Sequence, residues 1–346
     1  MIGGVVMDAS DPRKPLRMVG CGGCGVKNFI PGDLPPLSTV PCTRCGYPIM
    51  MPMRLRQFEL RAAIASGGMG TVYRAFDLTL EREVAVKLMK PELVQDTNAL
   101  EGFYREARAC ASLNHTNIIH IYTFDEWEGH RYLVMELADR GSLDSRIEQE
   151  QRLPELDVLD IGIKVASALD SALRHNLLHR DIKPGNILFN AEGEPKLVDF
   201  GLARSAEESG EEQAVWGTPY YIAPEKVKRE REDFLSDLYS LAGTLYHALT
   251  GHVPFESATV EAVLAAHIHT PVTAPHLVVP EVTEPTSEAL VRAMAKGPDA
   301  RFQSYDEFIM ALTAARSQLL VSQIRNQGRI VSTAAKNGDG RSWWRR

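Results

Sequence analysis

From Phe58 to Glu136 apolar and polar residues mostly alternate, the period-two texture of strands with one buried face. The runs Phe58–Ile64, Thr71–Asp77 and Glu83–Met89 predict three strands, and Ile118–Asp125 and Arg131–Glu136 predict two more. One segment between them breaks the period: Phe103, Ala107, Cys110 and Leu113 recur at helical spacing. After Gly141 the pattern is mainly helical, most clearly over Leu156–Arg174, Phe234–Thr250, Val260–His267, Glu288–Ala295 and Tyr305–Ala315. A strand-rich part followed by a helix-rich part predicts an α+β pair of lobes, with no internal repeats.

The chain ahead of Phe58 has a different texture. Residues 1–16 are polar, contain Gly and Pro and lack periodicity, so a loose leader is expected. Cys21-Gly-Gly-Cys24 and Cys42-Thr-Arg-Cys45 follow, with seventeen residues between the pairs. Each CxxC turn presents two thiolates, and two turns at this spacing complete the tetrahedron of a zinc ribbon over residues 17–51. A module this small builds little core, so bound metal would supply much of its folding energy. The alternative is two unconnected, redox-active cysteine pairs. Cys110, the fifth cysteine, is expected to be a buried packing residue. Residues 316–346 keep a few helical turns and then turn basic, which predicts a disordered end.

With 346 residues the chain can hold one large two-lobed domain plus a small accessory module. A net charge of −7 argues against a dedicated nucleic-acid binder. No signal-peptide pattern is visible, and no run approaches the roughly 18 apolar residues of a membrane span. A cytoplasmic protein is therefore expected, in a compartment reducing enough for free thiols.

The densest chemistry lies in His179-Arg180-Asp181-Ile182-Lys183-Pro184-Gly185-Asn186 and, after it, Val198-Asp199-Phe200-Gly201. These runs set two carboxylates, an amide and an ammonium at spacings suited to metal-assisted phosphoryl transfer. They resemble the catalytic and metal-binding loops of bacterial eukaryotic-like serine/threonine protein kinases. The resemblance covers about residues 56–315 and implies a β-rich N-lobe over 56–138 and a helical C-lobe over 139–315. It implies ATP and Mg²⁺ (or Mn²⁺), with Asp181 as proton acceptor, Lys183 balancing charge on the moving phosphoryl group, and Asn186 and Asp199 as metal ligands. Protein Ser and Thr hydroxyls would be the acceptors, those of the chain itself included.

The same resemblance assigns the rest of the site. Ile64, Ala65, Ser66, Gly67, Gly68, Met69, Gly70 and Val72 look like the glycine-rich loop over the nucleotide phosphates, with Ala65 where the family pattern begins with glycine. Ala85 and Lys87 in Val84-Ala-Val-Lys would contact ATP, with Glu106 as the ion-pair partner of Lys87. Met135, Glu136 and Ala138 resemble the hinge that meets adenine, and Ser142 near Asp144 is placed to cap the next helix. In supporting roles, Thr218 would brace Asp181 and Lys183, Glu225 would pair with Arg301, and Asp237 would anchor the catalytic-loop backbone.

Between Gly201 and Gly217 the chain has no threonine but reads Ser205-Ala-Glu-Glu-Ser209-Gly-Glu-Glu212. Glu211 and Glu212 are expected to replace an activating phosphate opposite Arg180, with Ser205 and Ser209 as autophosphorylation candidates. His247, His252, His267 and His269 lack acidic or cysteine partners and are expected at the surface. Two rival readings are a pseudokinase scaffold, favoured only by Ala65, and a nucleic-acid adaptor built on the ribbon. The ribbon's Lys27, Arg44 and Phe29 are thin support for the second, so docking or regulation of a partner is its expected role.

Overall fold

The computed structural model describes residues 6–7, 15–200, 204–205 and 219–337. It divides into two compact units, Met1–Ala111 with Ile119–Asp139, and Ser112–Ile118 with Arg140–Arg346.

The first unit opens with the cysteine region. Strands β1 (Val6–Met7), β2 (Pro15–Gly20) and β3 (Lys27–Pro31) form a three-stranded sheet, and β4 (Thr39–Pro41) pairs with β5 (Pro48–Met50). Two stretches of the expected leader are thus strand. The register pairs Val6 with Leu16, and Leu16 with Pro31, so the partner strand orders what sequence alone leaves loose.

The predicted alternation is realised as one antiparallel sheet. Its strands are β6 (Met53–Leu55), β7 (Phe58–Ser66), β8 (Gly70–Asp77), β9 (Arg82–Met89), β10 (Ile121–Trp127) and β11 (His130–Met135), in the order β10-β11-β9-β8-β7-β6. On β9, Val84, Val86 and Leu88 face a core shared with Leu60, Tyr73, Tyr132 and Val134. Helix α1 (Thr97–Ala111) covers the other face, where Phe103 and Ala107 pack on Met89 and Leu133. Lys87 shares the parity of Met89 and pairs in register with Leu133.

The second unit is helical. Its elements are α2 (Leu143–Glu150), α3 (Glu155–Arg174), α4 (Pro224–Val227), α5 (Phe234–Thr250), α6 (Val260–His269), α7 (Pro275–Val278), α8 (Glu284–Ala293) and α9 (Tyr305–Asn337). Short strands β12 (Leu177–Leu178) and β15 (Arg204–Ser205) pair, as do β13 (Ile187–Phe189) and β14 (Pro195–Leu197). Asp233 starts α5 by accepting from the Leu235 amide at 2.8 Å, and fourteen of the seventeen α5 residues are buried. That all-round burial makes α5 the pillar on which the His179–Asn186 run is hung, through Asp237. Ser142 caps α2 reciprocally with Ser145, as expected.

Two helices depart most from their predicted limits. Helix α8 begins at Glu284 because Thr283 takes the cap position and Pro285 fits the first turn. Helix α9 runs on past Ala315 to Asn337, further than the few turns expected there, with no proline to interrupt it.

Candidate active site and cysteine centre

Asp237 on α5 sets the shape of the catalytic loop. Its Oδ2 accepts from the His179 amide and its Oδ1 from the Arg180 amide, both at 2.7 Å. Burial pushes the Asp237 carboxyl up, against the opposing pull of these two amides. Arg180 and Asp199 both sit at positive φ, +66° and +67°, where a non-glycine residue is strained. The Arg180 carbonyl accepts from Lys226 Nζ at 2.8 Å, a tie that sequence reading missed.

His179 is fully buried, and burial lowers its pKa, so the neutral ring acts as a two-sided splint. Nε2 lies 2.9 Å from the Val198 carbonyl and Nδ1 takes the Asp181 amide at 3.3 Å. The Val198 amide donates to the Asn186 carbonyl at 3.0 Å, which joins the two signature runs. Phe200, also fully buried, packs on the His179 ring at 4.6 Å.

At the centre, Lys183 Nζ donates to Asp181 Oδ2 at 2.7 Å, and Asn186 Nδ2 donates to the same oxygen at 2.9 Å and to the Asp181 carbonyl at 2.7 Å. With its N–H groups so committed, the buried Asn186 amide has its side-chain Oδ1 left to meet a cation. The Asn186 and Asp199 oxygens suit a hard divalent cation. Below this loop, Arg301 grips Glu225 with two 2.8 Å contacts, and Ser236 Oγ donates to Glu225 Oε1 at 2.6 Å. Although burial opposes it, the Arg301 guanidinium and then the Ser236 hydroxyl hold the Glu225 carboxyl below its usual range.

The nucleotide-side residues lie in the first unit. Ala65 pairs with Val72 and Ser66 with Thr71 across the β7–β8 turn, closed by a 2.9 Å bond from the Gly67 amide to the Gly70 carbonyl. Ile64, Ala65 and Gly68 are exposed, and Met69 is half-buried. Gly70 has a steric reason: a Cβ there would come 2.5 Å from the Leu88 carbonyl oxygen. Lys87 pairs with Val72, and Ala85 pairs with Met135. The Glu136 amide donates to the His120 carbonyl at 2.8 Å, and Ala138 is buried. The side chains of Glu106 and Cys110 lie outside the described residues, as do Ser209, Glu211, Glu212, Thr218 and the side chain of Ser205.

Cys21, Cys24, Cys42 and Cys45 place their sulfurs within 4.8 Å of one another. Cys21–Cys45 and Cys24–Cys42 are 3.6 and 3.8 Å apart. A tetrahedron with Zn–S bonds of about 2.3 Å has edges of about 3.8 Å. Amides of Gly23 and Arg44 aim at the Cys21 and Cys42 sulfurs from 3.3 and 3.4 Å. Asn28, a support absent from the sequence reading, reaches Cys42 Sγ at 3.4 Å. The Arg44 and Cys45 amides, then Asn28, lower Cys42 to about 6. Cys45 goes the other way: despite the favourable Tyr47 amide, the Cys24 sulfur and burial push it up to about 12. Four thiols this close cannot all ionise unless a cation sits among them, so the donor set fits zinc. Gly46, at φ +73°, supplies the left-handed turn after the last cysteine.

The histidine expectation needs correction. His267 is fully buried, with Nδ1 2.9 Å from the Tyr239 hydroxyl, and burial and then Lys296 lower it to about 4. His247 is partly buried, 2.7 Å from the Tyr221 hydroxyl. A signal existed: His267 follows Val263 by four residues, so both occupy the buried face of α6.

Residues 58–313 match the protein kinase domain family, and the chain belongs to that family. A probable serine/threonine-protein kinase of Streptomyces coelicolor is 36% identical over 75% of this chain and 40% of its own length. Serine/threonine-protein kinase PknB of Mycolicibacterium smegmatis is 34% identical over 72% of this chain and 41% of its own length. PknA of Mycobacterium tuberculosis is 35% identical over 82% of this chain and 67% of its own length. The chain thus spans about two fifths of the first two relatives. The cysteine cluster precedes the matched region, and among the described residues no helix is long and apolar enough to cross a membrane.

Proposed function

We propose that the chain is a serine/threonine protein kinase that moves the γ-phosphoryl group of ATP to protein Ser and Thr hydroxyls, its own included. The observation that carries this reading is the setting of Asp181. Lys183 and Asn186 both donate to its Oδ2, which leaves Oδ1 to align the acceptor hydroxyl and take its proton. Lys183 stays beside the line of transfer, where its ammonium offsets charge on the phosphoryl oxygens. Asn186 and Asp199 would hold Mg²⁺ or Mn²⁺, which when bound neutralises charge on the ATP phosphates. Lys87 orients the α- and β-phosphates, backbone N–H groups from Ser66 to Gly70 cover them, and backbone groups of Glu136 and Ala138 meet the adenine edge. Cys21, Cys24, Cys42 and Cys45 hold a structural zinc ion, a reading supported by the tetrahedral sulfur spacing.

Catalysis here is positioning and electrostatics, so Asp181→Asn should lower phosphoryl transfer by about 10²–10⁴-fold and leave thermal melting unchanged. A folded Asp181→Asn protein with near-normal turnover would overturn the assignment.

A further inference from the structure

The cysteine region is built into the neighbouring sheet rather than hung from it. Three consecutive side chains alternate between two cores. Ile49 and Met51 enter the cysteine region's core with Cys21, Ile30 and Cys42, while Met50 enters the core of the six-stranded sheet. Pro52 alone separates Met51 from β6, the sheet's edge strand, so no linker absorbs motion between them. Leu37 closes the junction from the other side. It packs on the sheet core, its amide donates to the Met51 carbonyl at 2.9 Å, and its φ of +65° is one that leucine avoids. The Met51 amide returns a 2.8 Å bond to the Ser38 carbonyl.

The two cores differ in what they can hold by themselves. The cysteine region's core consists of five buried residues, two of them metal ligands. That is too little apolar material to order the region without its ion. The core that Met50 joins includes Val86 and Leu88, the residues on either side of Lys87, and Tyr73 beyond the glycine turn.

We infer that metal loading of Cys21, Cys24, Cys42 and Cys45 controls the order of the β6–β9 sheet and hence the affinity of the chain for ATP. The kinase is thereby responsive to metal supply through a site separate from its magnesium ligands. This rests on the zinc reading given above. Loss of the ion disorders β4 and β5, withdraws Ile49 and Met51 from their packing, and so removes Met50 and Leu37 from the sheet core. The strands that carry Lys87 and the glycine turn then lose one wall.

The test uses the full chain. Zinc is counted per chain, removed with EDTA, and the protein exchanged into magnesium buffer. ATP binding and amide hydrogen exchange over residues 58–89 are then measured, with exchange in α5 as internal control. The expected result is one zinc per chain, and on its removal at least a fivefold weaker ATP Kd and faster exchange in 58–89, both reversed by added Zn²⁺. Stoichiometric zinc whose removal alters neither quantity overturns the coupling and leaves the zinc reading intact. A chain that takes up no zinc overturns both. If the stripped protein unfolds throughout, Met50→Ala decides: full zinc content with ATP affinity weakened at least threefold supports the coupling, and wild-type affinity overturns it.

Discussion

The cysteine cluster and the catalytic loop each converge donors on one point, but different parts of the chain hold them there. The cluster is specified at short range: two turns carry the ligands, and amides two residues further on address the sulfurs. The catalytic loop carries its reactive groups in one contiguous run, yet its shape is imposed by Asp237, which is 57 and 58 residues away from the amides it binds. In the first region spacing encodes the geometry itself. In the second, spacing encodes the chemistry, while a remote buried acceptor encodes the geometry.

The hardest blow to the second arrangement is loss of the Glu225–Arg301 pair. Arg301→Ala leaves a buried carboxylate unpaired and should destabilise the second unit by about 3–5 kcal/mol, read by denaturant melts. A loss below about 1 kcal/mol would show that the pair is dispensable. Next in size is Asp237→Asn, which weakens two charge-assisted bonds and should cost about 1.5–3 kcal/mol. Turnover should fall at least tenfold with zinc content unchanged; full turnover would mean that the His179–Asn186 run shapes itself.

The smallest effect is a pH dependence from His267. Its folded pKa, about 4, lies below the ordinary 6.5, so the unfolded chain takes up the proton first as pH falls. Stability is therefore lost progressively from pH 6.5 towards 4, with about 1 kcal/mol gone between pH 7 and pH 5.5. The groups facing the ring are the Tyr239 hydroxyl, the Phe255 edge, the Tyr220 backbone and the Lys296 ammonium, and burial, then Arg301, lower Lys296 only to about 8, so it stays charged across this window. His267→Phe should flatten that part of the profile, and an unaltered slope would assign it elsewhere.

The legible parts follow this division. The strands around Lys87, the α5 helix and the cysteine pairs could be read because each rests on a local period or spacing. Glu225, Arg301 and Asp237 could be named through the resemblance, though no local pattern says that they meet the loop. His267 escaped because a polar residue on a mostly apolar helix reads as surface until its buried register is known. The Met50–Met51 alternation escaped for a related reason: burial on both faces of a short strand leaves no polar residue to mark it.

That alternation also says where the molecule can be cut. The family match begins at residue 58, but the sheet's sixth strand is Met53–Leu55, and its core takes in Met50 and Leu55. A chain trimmed to the family boundary would leave β7 as a bare edge, open to pairing with another molecule, above a hole where those two side chains had been. The recognisable domain and the smallest piece that keeps the sheet's core whole are different objects.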